Sequence, residues 1–114
     1  MKECFTENHE RIRQKLSKSD KFLSRVEDAS KIFAMLGEPA RMKIILALME
    51  GELCVYHICE ITGGKQSAIS QHLRKLKDSK ILKSRKEANQ VLYSICDDHI
   101  YTIVKTALEH SKCF

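Results

Sequence analysis

Two pairs of side chains near the end of the chain have the types and spacing that metal binding requires. Asp97 and His99 open a segment with helical periodicity, and His110 and Cys113 close it. Side chains three positions apart are neighbours on a helix, so His110 and Cys113 can bind one ion together. His99 and His110 stand about 16 Å apart along a helix axis, at about 1.5 Å per residue. Because a zinc ligand must lie within about 2.3 Å of the ion, one chain cannot bring both pairs to one ion.

Two copies of this helix could bring the pairs together. If the copies pack antiparallel across a two-fold axis, the first pair of each chain meets the second pair of its partner. The resulting ligand set is one carboxylate oxygen, two imidazoles and one thiolate, a closed tetrahedral set that favours Zn(II). The alternative is that these are solvated polar residues at the ends of a helix, with Asp97 as its N-cap.

A second candidate metal site is centred on Cys54 and His57. They are three positions apart on the side of a short predicted helix that lies opposite Ile58. Two ligands do not complete a site, but Cys4 and His9 on a polar N-terminal arm could supply the others. The alternative for Cys54 is a partly buried apolar thiol.

The elements that position these ligands follow from the spacing of apolar residues and from helix-ending residues. Residues 9–33 have a charged helical pattern, which fits one helix or two with a break near Ser19. A helix over 29–36 is expected to end at Gly37 in the left-handed conformation, and Pro39 suits the first turn of the next helix. That helix is expected to end at Gly51. Further helices are predicted over 53–62, 67–80 and 97–112, and strands over 81–85 and 91–96.

This order predicts a winged helix-turn-helix, a mainly α fold with a small β-hairpin. In such proteins the second helix of the motif lies in the DNA major groove. The inward-facing Ile69, Leu73 and Leu76 leave six polar side chains outward: Gln66, Ser67, Ser70, Gln71, Arg74 and Lys75. A glutamine can pair with adenine, whereas arginine and lysine mainly neutralise phosphates. His72 lies beside this face and fits either the outward or the inward side.

The hairpin is the second candidate DNA contact. Its polar and basic side chains suit a wing over the minor groove or the phosphate backbone: Lys83, Arg85, Lys86, Asn89 and Gln90. The alternative is that the helix is merely solvated and the hairpin is an ordinary basic one.

Composition narrows the class of protein. The chain has 114 residues and a net charge of +5, which suits a polyanionic partner such as double-stranded DNA. Five cysteines without an export signal argue against a disulfide framework, so a cytoplasmic protein is expected. No apolar run reaches the length of a membrane helix, and no cofactor loop or nucleophile–base pair suggests an enzyme. We expect a flexible arm over 1–9 and a single domain over 10–114.

The motifs together resemble the ArsR/SmtB metalloregulators, from about Ala29 to the end. Residues 36–41 (LGEPAR) are similar to the family's L-x-x-P-x-R segment, and 52–55 (ELCV) to its E-L-C-V motif. Residues 67–73 (SAISQHL) resemble its S-x-[IV]-S-x-H-L recognition helix, and 85–87 (RKE) its wing. Asp97-x-His99, ten residues and His110-x-x-Cys113 resemble the zinc-sensor pattern D-x-H-x10-H-x2-[EH] in its first three positions.

The resemblance implies a homodimeric repressor that binds operator DNA when metal-free and dissociates when metal binds. It also implies how the signal travels. His110, held by the metal, would donate its second ring N–H to a backbone carbonyl near Lys80, at the end of the recognition helix.

The departures from the family pattern bear on the metal. Cys113 replaces the usual Glu or His, which would soften the site toward Cd(II). Tyr56 replaces the second thiol of the C-V-C motif found in arsenic and cadmium sensors, which argues against an arsenic sensor. His57 stands where SmtB-like sensors place an aspartate, so the second site remains open.

Two rival functions use the same fold. One is a repressor that responds to thiol oxidation at three candidate thiols, Cys54, Cys59 or Cys96. The other is an interaction module without an effector.

Overall fold

The structure, a computed structural model, describes residues 7–17 and 20–112. The described helices are α1 (Glu7–Ser17), α2 (Asp20–Leu36), α3 (Pro39–Leu48), α4 (Val55–Thr62), α5 (Gln66–Asp78) and α6 (Asp98–Ser111). The strands are β1 (Leu53–Cys54), β2 (Leu82–Glu87) and β3 (Gln90–Ile95). A mainly helical chain with a helix-turn-helix at α4–α5 and a β-hairpin confirms the predicted fold class.

The chain forms two compact units, Met1–Phe33 and Ala34–Phe114. The first contains α1 and most of α2, and α1 buries none of its residues. Since α1 begins at Glu7, most of the expected arm lies outside the described residues. No described helix is both long enough and apolar enough to cross a membrane.

The core of the second unit joins the helix-turn-helix to the hairpin and to α6. Its members are fully buried aliphatic side chains from α3, α4, α5, β2 with its lead-in, and α6: Ile44, Ile45, Ile58, Leu73, Leu76, Ile81, Leu82 and Val104. As the helical periodicity predicts, Ile69, Leu73 and Leu76 line the inner face of α5. Burying that stripe turns the polar side of α5 outward.

The turn between α4 and α5 depends on its two glycines. Gly63 caps α4 in the left-handed conformation, with φ of 75°, which costs glycine little because it has no Cβ. A Cβ on Gly64 would lie 2.7 Å from Cδ1 of Ile69. The Gly63-Gly64 turn therefore lets α5 approach the core closely.

The end of α2 differs from the prediction. The described residues with positive φ are Gly51, Gly63, Lys80 and Ala88, so the left-handed C-cap predicted at Gly37 is wrong. The Nη1 of Arg41 donates instead to the backbone carbonyl of Met35, at 3.3 Å. A side chain thus satisfies one of the carbonyls in the last turn of α2 that have no partner within the helix.

Residues 53 and 54 also differ from the prediction, which placed them at the start of a helix. They form β1, which pairs antiparallel with β3, Leu53 opposite Tyr93 and Cys54 opposite Leu92. The sheet order is β1-β3-β2. The partner strand is supplied from nearly 40 positions away, so local helical spacing could not reveal this pairing.

The hairpin and the end of α5 both use non-glycine residues with positive φ. Ala88, with φ of 54°, lies in the two-residue turn between the paired Glu87 and Gln90. Lys80, with φ of 60°, follows α5, where the N–H of Ile81 donates to Leu76 O at 2.9 Å. That pattern is a Schellman C-cap, and it ends α5 before the predicted residue 80.

Candidate nucleic-acid interface and metal-ligand pairs

The outward face of α5 is open. All six predicted contact residues, Gln66, Ser67, Ser70, Gln71, Arg74 and Lys75, are exposed. They combine amide, hydroxyl and cationic groups on one helix face, a set that suits base edges and phosphates. This arrangement allows α5 to enter a DNA groove without rearranging the core.

His72 differs from these residues. It is half-buried, and its Nδ1 accepts a hydrogen bond from Nε of Arg41 at 3.4 Å. The side chain therefore faces α3. The sequence left both sides open for His72, and the only hint of its partner was the position of Arg41 in the 36–41 motif.

The basic side chains of the hairpin are not equivalent. Lys83 and Lys86 are exposed, as are Asn89 and Gln90 at the tip. Arg85 is also exposed, but its Nε lies 3.1 and 3.2 Å from the two carboxylate oxygens of Glu52. Its Nη2 lies 2.9 Å from Glu87.

These ion pairs affect both partners. The hydrogen bonds from Arg85 lower the pKa of Glu52, and the carboxylate of Glu52 raises the pKa of Arg85. Sequence reasoning missed Glu52 as a functional neighbour because it lies 33 positions from Arg85. Its only signal was its place at the head of the E-L-C-V motif.

The first predicted metal pair lies at the start of α6. Oδ1 of Asp97 caps the helix by accepting the N–H of Ile100 at 3.1 Å. Oδ2 lies 3.7 Å from Nδ1 of His99, whose side chain is 92% exposed. The hydrogen bond from Ile100 lowers the pKa of Asp97, and the neighbouring His99 adds to this effect. Asp97 therefore serves as N-cap with one oxygen and presents an anionic oxygen beside an open imidazole.

The second predicted pair is at the other end of the helix. His110 is exposed in the last turn of α6, and Cys113 lies outside the described residues. Among residues 7–17 and 20–112, no three His, Cys, Asp or Glu side chains gather into a metal site within one chain.

Cys54 and His57 do meet. Sγ of Cys54 lies 3.3 Å from Nδ1 of His57, and the His57 ring packs edge-on against Tyr56. Cys54 is buried while His57 is exposed. Cys4 lies outside the described residues, and His9 lies in α1 of the first unit.

The remaining described cysteines, Cys59 and Cys96, are half-buried free thiols. Neither is paired in a disulfide, and neither has a described cysteine partner.

A helix-turn-helix with an exposed polar second helix, followed by a basic hairpin, defines a winged-helix DNA-binding protein. Comparisons with known proteins agree. Residues 38–84 match the family described as "Bacterial regulatory protein, arsR family". A cadmium resistance transcriptional regulatory protein, a CadC homolog of Staphylococcus aureus, is 40% identical over 86 residues, which cover 75% of this chain and 71% of that protein.

Two further comparisons extend this agreement. A transcriptional repressor SmtB homolog of Synechocystis is 28% identical over 77% of this chain and 67% of its own length. The structure of a homodimeric winged helix-turn-helix domain from Mycobacterium bovis superposes with a TM-score of 0.79. It covers 84% of this chain and 89% of that one, at 21% identity, and so supports the fold alone.

The chain belongs to the ArsR family. It is therefore a DNA-binding transcriptional regulator, and this family is not one of enzymes.

Proposed function

We propose that the protein is a cytoplasmic, homodimeric repressor that binds operator DNA when metal-free and releases it on binding Zn(II), with Cd(II) as the alternative ion. The observation that carries this proposal is the Asp97–His99 pair, whose oxygen and ring nitrogen face each other in the open at one end of α6. His110 is at the opposite end of the same helix.

The ligand pairs fit a tetrahedral ion. Two oxygen or nitrogen ligands about 2.0 Å from such an ion are about 3.3 Å apart, and a sulfur and a nitrogen are about 3.6 Å apart. The distance from Asp97 to His99 is 3.7 Å, and that from Cys54 to His57 is 3.3 Å. Both pairs therefore need only small adjustments to share an ion. The α6 site would be completed by His110 and Cys113 of a partner chain.

The proposed dimer follows from the same helix. Tyr101 and Leu108, two turns apart on one side of α6, remain 39% and 37% exposed. A second α6 packed against this side would bury them and bring the ligand pairs of the two chains together. The Mycobacterium bovis domain of the same fold is homodimeric. Two α5 helices about 34 Å apart would then fit successive major grooves.

Release of DNA requires communication between α6 and α5. A bound ion would supply a rigid link between the two α6 helices. His110 would use one ring nitrogen as a ligand and donate the other N–H to a backbone carbonyl near Lys80. Lys80 ends α5 with a left-handed turn, so a contact there acts on the helix that we propose reads DNA. Such couplings are typically about 1–3 kcal/mol and are reciprocal.

Zinc titration of operator binding tests the proposal. Zn(II) should weaken operator binding by the wild-type protein by about tenfold or more. Asp97→Asn keeps the capping oxygen but loses the charge, so it should keep DNA affinity and lose the zinc response. The matched control, Cys54→Ser/His57→Gln, should still respond. If release of DNA is lost in Cys54→Ser/His57→Gln and kept in Asp97→Asn, the regulatory site is at Cys54.

The assignment of α5 as the DNA-reading helix has its own test. Arg74→Ala should weaken binding to every sequence and reduce the salt slope by about one. Gln71→Ala should act mainly on the operator. Unchanged affinity in a Ser70/Gln71/Arg74 triple alanine variant would exclude this helix as the reader.

A further inference from the structure

One side chain, Arg41, joins three parts of the second unit. Its Nη1 donates to Met35 O at 3.3 Å, in the last turn of α2. Its Nε donates to Nδ1 of His72 at 3.4 Å, in the middle of α5. Its own backbone N–H donates to the carboxylate of Glu38, the N-cap of α3, at 3.1 Å. Arg41 is therefore the bridge between the α2–α3 corner and α5.

The bridge requires one protonation state of His72. An arginine guanidinium is always a donor, so Nδ1 of His72 must carry a lone pair and the ring must be neutral. In a protonated ring, Nδ1 of His72 would be a donor facing the donor of Arg41, and two cations would lie side by side. The contact with Arg41 would then be lost.

The charged groups around this contact come from several elements. Arg41 and Glu38 face His72 from α3 and its N-cap. Helix α4 and strand β2 also pack against α5, and their ionisable side chains include His57, which contacts Cys54, and Arg85, which is paired with Glu52. On α5 itself the cation one turn further on is Lys75, which is exposed. Glu38 would attract a protonated ring, but it cannot restore the acceptor that Arg41 needs.

We propose that His72 is a positioning residue for DNA binding. Its neutral ring, held by Arg41, fixes α5 against the α2–α3 corner, and its protonation loosens α5 and weakens operator binding. The proposal rests on the proposed role of α5 as the DNA-reading helix.

If His72 instead contacted DNA directly, operator affinity would change with pH in the opposite direction. A histidine that touched DNA would become a cation near phosphate as the pH falls, and affinity would rise. A positioning histidine predicts that affinity falls over the same range, since histidine ordinarily changes charge between about pH 5 and about pH 8.

The experiment measures operator affinity of the full-length, metal-free protein from about pH 8 to about pH 5.5. His72→Asn is compared with the wild type, because the asparagine Oδ1 stands near the position of Nδ1 and does not titrate. The other four histidines remain in both proteins, so the difference between the two curves isolates His72. The proposal predicts equal affinities at the upper pH and a loss of about tenfold, specific to the wild type, at the lower pH.

Further variants test whether the pH effect depends on the contact between Arg41 and His72. Arg41→Lys retains the charge but cannot bridge both acceptors, so it should weaken binding at the upper pH and abolish the wild-type loss. Parallel curves for the wild type and His72→Asn would overturn the proposal, as would a gain of affinity specific to the wild type. If the Ser70/Gln71/Arg74 triple alanine variant keeps full operator affinity, the role of α5 fails, and this proposal fails with it. If the triple variant loses affinity but the two pH curves are parallel, only the role of His72 fails.

Discussion

The carboxylate of Glu52 holds the guanidinium of Arg85 through both of its oxygens, with Nε at 3.1 and 3.2 Å. Glu52 directly precedes β1, and Arg85 lies in β2, two strands away in the β1-β3-β2 sheet. Cys54, Leu92 and Arg85 occupy one row across this sheet. One of the cations expected to contact DNA from the wing is thus already paired, in the same row of the sheet as the candidate ligand Cys54.

This pairing predicts that Glu52→Gln strengthens DNA binding. An exposed ion pair contributes little stability, about 1 kcal/mol or less, so losing it should leave Arg85 with the contact to Glu87 alone and should not unfold the wing. Operator affinity should rise by about threefold to tenfold, and its salt dependence should steepen by about one ion. Fluorescence anisotropy at several salt concentrations measures both.

Glu50→Gln is the matched control, because it removes the same charge from the same loop. It should change affinity less than Glu52→Gln does. If Glu52→Gln instead weakens binding, the ion pair is needed for the structure of the wing and does not compete with DNA for Arg85.

Lys80→Gly should stabilise the metal-free protein. Lys80 adopts φ of 60° at the C-cap of α5, a conformation that is costly for any residue with a Cβ and cheap for glycine. The free energy of unfolding should rise by about 1 kcal/mol, as measured by urea denaturation at fixed protein concentration. Lys77→Gly, inside the last turn of the same helix, should lower it by about 1 kcal/mol. Equal losses in both variants would contradict the assigned turn.

Glu38 should make stability depend on pH. The backbone N–H of Arg41 lowers the pKa of Glu38, and nearby His72 and Arg41 contribute further. A carboxylate with a lowered pKa stabilises the folded state above its unfolded pKa of about 4.3, and this contribution is lost as the pH falls through the folded pKa. Glu38→Gln should therefore be less stable than wild type near pH 7 and equal to it at strongly acidic pH.

Urea denaturation across this pH range measures the difference between the two proteins. Glu60→Gln, which removes an exposed carboxylate from α4, is the control. A difference that stays constant with pH would show that the charge of Glu38 is not responsible.

Leu108→Glu should dissociate the proposed dimer. A charge at this position would have to be buried against the second copy of α6. The dimer dissociation constant should rise by about a hundredfold, as measured by sedimentation at micromolar concentrations. Thr106→Glu adds the same charge to the opposite side of α6 and should leave the dimer intact. If both variants remain dimeric, the α6 face is not the interface.

The sequence predicted what depends on local spacing. The inward stripe of α5 and the capping role open to Asp97 both follow from residues within a turn or two of one another. What it missed depends on distant partners. β1 exists because β3 pairs with it, His72 faces inward because Arg41 reaches it, and Arg85 is paired because Glu52 precedes β1.

The sequence and the structure of a single chain each give a different part of the proposed metal site. The spacing of His99 and His110 shows that one chain cannot complete the site. The structure adds the orientation of the Asp97–His99 pair, in which one oxygen caps α6 and the other faces the imidazole.

The most direct test of the shared site is a mixture of two variants, both carrying Cys54→Ser/His57→Gln to remove the second candidate site. One variant adds Asp97→Asn/His99→Gln, and the other adds His110→Asn/Cys113→Ser. Neither should bind zinc at α6 alone. After unfolding and refolding together in equal amounts, half of the dimers should be mixed and each should hold one intact site, giving about one ion per four chains. Recovery of tight zinc binding at that stoichiometry is the predicted result. No binding in the mixture, with full binding by the parent protein, would contradict a site shared between two chains.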